Sequence, residues 1–250
     1  MSQVALPAGP PSGSFDRVAQ VLLAMSRMDA PRVAQISEHT GLPASAVYRC
    51  ITSLLEAGLI EEGPSRGRYH AGIVSISLAE RYRRSVLSGD ATSRVLHTLA
   101  GRTMEFAALL VRRGDDMVCV DTADGSSVLR CSFVVGEVVP LVAGASAKAI
   151  LAHTPRGEVD GILARNGVAG STASGVLSLL PDVRERGFAM SAGEVDEGVW
   201  GVAAPVFADG GVVGAVATMA PVLRAARLMR TAVSATVSAA QALSRHQLNI

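Results

Sequence analysis

The side chains able to do chemistry in this 250-residue chain are scattered rather than clustered. Ser146 and Lys148 lie two apart, so on a helix they diverge; a Ser-x-x-Lys spacing would bring nucleophile and base onto one face. No GxSxG elbow occurs, and Gly210, Gly211 and Gly214 come without the lysine of a phosphate-binding loop. His39, His70, His97, His153 and His246 have no metal-ligand spacing and read as surface or capping residues. Asp115 with Asp116, and Asp196 with Glu197, are neighbours whose carboxylates point apart into solvated loops. Cys50, Cys119 and Cys131 are odd in number and have no CxxC spacing, so they read as buried thiols of a reducing cytosol. The expectation is a chain with no catalytic residues, no metal and no cofactor; a small-molecule enzyme is the weaker alternative.

Residues 33–69 offer a different chemistry, hydrogen bonding to phosphates and base edges. Val33, Ala34 and Ile36 give a short helix one apolar face, Gly41 permits a sharp turn, and Pro43 suits the first turn of the next helix. In that helix Val47, Ile51, Leu54 and Leu55 recur at helical spacing and turn inward, leaving Ser45, Tyr48, Arg49, Thr52 and Ser53 outside. Gly58 ends the helix. Residues 61–69, with Gly63, Pro64 and Gly67 between short flanks, read as a wing-like hairpin. The whole is a winged helix-turn-helix whose second helix lies in a DNA major groove. Ser45, Tyr48, Arg49 and Thr52 face base edges and phosphates, and Arg66 and Arg68 suit phosphate oxygens or a narrow minor groove.

Residues 41–58, GLPASAVYRCITSLLEAG, and 67–72, GRYHAG, resemble the DNA-binding module of the IclR family of bacterial transcriptional regulators. In that family the helix begins G-L-x-x-[ST]-x-x-x-R, and Ser45 and Arg49 stand at the matching positions. Ala46 departs from the pattern, since a threonine is common there.

The length accommodates one small module and a domain of about 150 residues. The expected organisation is a disordered tail at 1–13, the winged helix-turn-helix at 14–73, a linker helix at 74–90 and a second domain at 91–250. The tail carries three prolines and two glycines without a charge. A first helix follows, with Val18, Val21, Leu22 and Met25 as its apolar stripe, and Ile73, Ile76, Leu78 and Tyr82 mark the linker helix. Net charge is +1, and residues 14–90 carry nine arginines against eight acids, so DNA binding rests on a local patch rather than on overall charge. No run of 18 uncharged apolar residues occurs and no basic-then-apolar leader pattern opens the chain, which implies a cytoplasmic protein with no membrane partner.

From residue 91 the pattern alternates helices with strands rich in Val, Ala and Gly. Strands are expected at 106–111, 117–122 and 128–135, a helix at 145–153, a weakly helical stretch at 158–186 and a short strand at 188–191. A second hairpin, 202–207 with 212–219, turns at Asp209 and Gly210, and a long amphipathic helix at 223–245 packs across the sheet. The pattern predicts α+β, with hairpins covered by helices on one side.

Two segments of this domain extend the resemblance. PLVAGASAKAILA, 140–152, is similar to the PLHATALGKALLA element of IclR-family effector domains, and GFAMSAGEVDEGVWGVAAPV, 187–206, to their GYAVDDEEHEPGLRCVAAPV element. The resemblance implies a GAF-like fold that binds a small effector. By motif position, Gly144, Ala145 and Ser146 would line the pocket at a helix start suited to carboxylates. Met190, Ser191 and Glu194 would face it, together with Thr218 on the last strand. The family's acidic pair is Ser191 and Ala192 here, its next acid is Gly193, and its Arg-Cys pair is Trp200 and Gly201; only Glu194 keeps its acid. The expectation is therefore a ligand-responsive regulator of a palindromic double-stranded DNA operator, working as a homodimer or a dimer of dimers and sensing a small metabolite such as a carboxylate. A constitutive DNA binder with a degenerate pocket is the alternative.

Overall fold

The computed structural model describes residues 13–86, 90–127 and 133–245. Contacts divide the chain into two compact units, one ending at Arg83 and the other beginning at Arg84. Of the expected tail only Gly13 is described, and Cys131, His246 and most of the strand expected at 128–135 lie outside the described residues.

The first unit packs α1 (Ser14–Met25), α2 (Val33–Thr40) and α3 (Ala44–Glu56) around Val21, Ile36, Val47, Ile51 and Leu54. Gly41 ends α2 in the left-handed conformation with φ 71°, and the Ser37 hydroxyl donates to the Leu42 carbonyl, which seats Leu42 in the core. Pro43 stands one place earlier than expected: its extended backbone caps α3, and Ala44 is the first helical residue. Ala34 is exposed, so Val33 and Ile36 alone carry the apolar face of α2. On α3, Ala46 and Cys50 are buried where Leu55 is at the rim, because the stripe is centred slightly to one side of the expected one. Beyond Gly58 (φ 67°) the strands β1 (Ile60–Glu62) and β2 (Tyr69–Ala71) pair antiparallel, with Glu61 opposite His70. The Glu62 carboxylate accepts the Gly67 N–H and tightens the hairpin. Helix α4 (Ile73–Val86) then runs across the division between the units, its first N–H capped by Glu61.

The second unit is built on a six-stranded antiparallel sheet. In chain order its elements are α5 (Asp90–Thr103), β3 (Phe106–Arg113), β4 (Asp116–Ala123), β5 (Val138–Pro140), α6 (Gly144–Leu151), α7 (Arg156–Arg165), α8 (Gly170–Arg186), β6 (Ala189–Ala192), β7 (Val199–Ala208), β8 (Gly211–Pro221) and α9 (Val222–Arg245). The strand order across the sheet is β5-β4-β3-β8-β7-β6. Asp209 and Gly210 both take positive φ, 50° and 79°, the geometry of a two-residue turn that joins β7 to β8.

The α+β expectation holds, but helices cover both faces of the sheet rather than one. Along β3, Phe106, Ala108 and Leu110 pack with α6, α7 and α8, while Ala107, Leu109 and Val111 pack with α5 and α9. The unbroken apolar runs at 106–111 and 202–206 are what a doubly covered sheet requires, since neither face meets water. The weakly helical stretch is two helices, α7 and α8, and β5 is a further short strand that the pattern did not mark. Gly214 lets β8 pass close to β3: a Cβ there would sit 2.3 Å from the Leu110 carbonyl oxygen. At the other end, Arg224 clamps Glu105 in a two-bond ion pair at 2.7 Å each, fastening the start of α9 to the turn between α5 and β3.

Candidate DNA-binding and effector sites

On α3 the inward spacing of Val47, Ile51 and Leu54 leaves positions 45, 48, 49 and 52 on one outer face, and all four are exposed. Tyr48 is 57 % exposed, a large ring held largely in water. The Thr52 hydroxyl bonds back to the Tyr48 carbonyl, so its proton is already committed and it can only accept. Arg49 is exposed and has no carboxylate partner among the described residues.

A groove between α1 and α3 is lined by Ser14, Arg17, Ala46, Arg49, Thr52 and Ser53, with no carboxylate among its described lining residues. Both guanidiniums lie near Cys50 and pull its thiol down, although burial has the larger effect and raises it. Arg17 was not singled out by the sequence. Its placement depends on how α1 packs against α3, which no local pattern encodes.

The two wing arginines differ. Arg66 is exposed at the hairpin tip beside Gly67 (φ 75°). Arg68 is half-buried: its Nη1 donates to the Ala30 carbonyl at 2.9 Å, and its backbone bridges to Arg32. This corrects the sequence reading, which gave both arginines to phosphate or minor-groove contact: the Arg68 guanidinium is engaged within the fold. Arg68 ties the wing to the turn before α2, because β2 runs alongside residues 30–32 and the Pro31 carbonyl accepts from Tyr69 N–H.

The second candidate site lies where α6 begins, against β6 and the loop 193–198. Gly144 takes φ 86°, and a Cβ on it would stand 3.0 Å from Val195 Cγ2, so glycine is required for the loop to close over the helix start. The cavity beneath has walls from Met117, Val139, Ala145, Ser146, Ser191, Glu194, Ala217 and Met219 and measures about 50 Å³. Ligand pockets run to about 300–1,000 Å³, so this one is too small for a ligand in this conformation. Its polar rim is already engaged. Gly144 N–H donates to Glu194 Oε2 at 3.2 Å, Ala145 N–H to Ser191 Oγ at 3.1 Å, and Lys148 Nζ to Glu194 Oε1 and, at 3.5 Å, to the Met190 carbonyl.

Of the expected pocket residues, Gly144, Ala145, Ser146, Ser191 and Glu194 come together and Met190 and Thr218 do not. Side chains alternate along a strand, so when Ser191 faces the cavity, Met190 faces away and packs near Trp200 and Ala232. Thr218 is fully buried on the face toward α9, its hydroxyl 2.7 Å from that of Thr236, while its neighbours Ala217 and Met219 line the cavity. Trp200 is core, as its 5 % exposure and apolar neighbours require. Ser146 and Lys148 diverge on α6 as their spacing demands, and the lysine pairs with Glu194, 46 residues away. Among the described residues no group of three or more His, Cys, Asp or Glu could hold a metal ion, and no helix is long and apolar enough to cross a membrane.

A helix-turn-helix unit with an open hydroxyl and arginine face, followed by an α+β unit with a small polar-rimmed cavity, defines a DNA-binding transcriptional regulator. The family models for the IclR helix-turn-helix domain and for the bacterial transcriptional regulator IclR C-terminal domain match residues 14–64 and 89–245. The chain belongs to the IclR family of bacterial transcriptional regulators. It is similar to the HTH-type transcriptional repressor AllR of Klebsiella pneumoniae, 27 % identical over 202 residues that cover 77 % of this chain and 73 % of that protein. An IclR transcriptional regulator from Alicyclobacillus acidocaldarius superposes with a TM-score of 0.81 at 25 % identity, over 93 % of this chain and 98 % of the other. An IclR homologue from Microbacterium hydrocarbonoxydans, complexed with 4-hydroxybenzoate, shares the fold with a TM-score of 0.76 at 20 % identity, over 94 % and 98 % of the two chains.

Proposed function

We propose that this regulator acts in the cytoplasm as a homo-oligomer and controls transcription from a palindromic operator in response to a small carboxylate. The observation that carries the DNA-binding side is the exposed face of α3, where the side chains of Ser45, Tyr48 and Arg49 have no competing partner among the described residues. Arg17 and Arg66 add phosphate contacts, and Arg68 holds the wing in position. Phe15, Ile73, Ile76 and Leu78, between 55 % and 91 % exposed, supply apolar surface for a second copy. Two α3 helices would then reach half-sites about 34 Å apart.

The carboxylate follows from the chemistry around the cavity: N–H groups at a helix start, apolar walls, and a lining glutamate that is itself paired with the buried Lys148. The aromatic acid held by the Microbacterium homologue is of that class. Ser146 lacks a base on its own face, so we read the site as a binding site and not a catalytic one. The small cavity is also what a constitutive DNA binder with a degenerate pocket would have. A titration separates the two: operator binding by the full chain, followed by fluorescence anisotropy at fixed salt with a panel of monocarboxylates added. A carboxylate that shifts operator affinity supports the effector reading. Operator binding that no carboxylate alters favours the constitutive one.

A further inference from the structure

Lys148 is the one lysine in the sequence, and it is 9 % exposed. A buried ammonium needs an anion, and the anion here is Glu194, whose carboxylate also accepts the Gly144 N–H at the start of α6. Glu194 thus occupies the place a ligand carboxylate would take. The pair is unequal: the lysine side chain is 11 % exposed and the glutamate 34 %. Glutamate sits on the loop 193–198, which begins and ends at glycines of positive φ, 66° at Gly193 and 83° at Gly198. It can swing into water, whereas the lysine cannot. Ser146, 6 % exposed, lines the same cavity and offers a hydroxyl for a second polar group.

Resting on the effector reading above, we propose that Glu194 is an internal ligand, and that the effector is a monocarboxylate which displaces it from Lys148 and Gly144 and thereby releases the loop over the pocket. A neutral molecule would not open the site, because it would leave Lys148 buried without a counter-charge. The incoming carboxylate takes the lysine and the helix N–H, its second polar group meets the Ser146 hydroxyl, and its apolar body lies against Met117, Val139 and Met219. The Glu194 carboxylate moves to solvent, so the charge beside Lys148 is conserved. Competition of this kind weakens apparent affinity by the fraction of time the internal ligand is out.

The test is calorimetric titration of full-length protein with sodium benzoate and with benzamide as the neutral control. Glu194→Ala is expected to bind benzoate at least about tenfold more tightly than the native chain, the factor for an internal ligand seated about 90 % of the time. Benzamide affinity should change less than about twofold on the same argument. Glu194→Gln, which keeps the acceptor for Gly144 but loses the charge for Lys148, should gain less in the same direction and carries the test if the alanine variant does not fold. Adding Lys148→Met to Glu194→Ala should abolish the gain. Benzoate affinity in both Glu194 variants equal to or weaker than native would overturn the internal ligand and leave the effector reading standing. Absence of carboxylate binding in every variant, with operator binding retained, would overturn the effector reading and the internal ligand together.

Discussion

Arg49 and Arg68 look alike in the sequence and should fail in opposite ways when truncated. Arg49 is exposed on the outer face of α3 with no ion-pair partner among the described residues, so in Arg49→Ala stability should stay within about 0.5 kcal/mol of native. If its guanidinium forks onto a base edge, operator binding should weaken by about 1 to 3 kcal/mol, a factor of about 5 to 150 in Kd. Arg68→Ala instead deletes the 2.9 Å bond from Nη1 to the Ala30 carbonyl. A hydrogen bond from a charged donor contributes about 1.5–3 kcal/mol, and half-burial discounts it, so a loss of about 1–2 kcal/mol in stability is expected. Its effect on DNA should be secondary and similar for operator and random sequence. Denaturant melts and anisotropy titrations at one salt concentration separate the two outcomes. Native operator affinity in Arg49→Ala, or an unchanged melt in Arg68→Ala, would refute the division of roles.

Leu109 is fully buried in a central strand against α5 and α9, so Leu109→Ala should cost about 2–5 kcal/mol, read from the midpoint of a urea melt. Gly144→Ala would force a side chain into the left-handed region against Val195, and a loss of about 1–2 kcal/mol by the same measurement is expected from the backbone alone. Burial pushes the Cys119 thiol up to about 12, so native protein at pH 8 should leave it unalkylated by iodoacetamide, as peptide mass spectrometry would show. The sign for stability follows: the unfolded thiol ionises from about 9 and the folded one from about 12, so Cys119 makes stability fall as pH rises between them.

The elements most legible in the sequence were those fixed by short-range chemistry. Gly41 and Gly58 marked the ends of α2 and α3, Asp209-Gly210 marked a hairpin, and the spacing of Val47, Ile51 and Leu54 located the core face of α3. What was not legible depends on register and on distant contacts. Whether Ser191 or Met190 faces the cavity is a matter of one residue of strand parity, and Thr218 was misassigned on the same account. Arg68 could be recognised as a structural tie only once β2 lay beside residues 30–32. The pairing of Lys148 with Glu194 spans 46 residues and crosses from helix to loop. Helices on both faces could have been read from the unbroken apolar strands, a signal that alternation alone obscures.

The most direct measurement of DNA recognition is selection of bound sites from a random-sequence duplex library, followed by anisotropy on the enriched and scrambled sequences at about 0.15 M salt. An inverted repeat with half-sites one helical turn apart, bound about 10³-fold or more above scrambled DNA, is the predicted result. No enriched sequence, with all duplexes bound alike, would contradict the account of α3 as a base-reading helix.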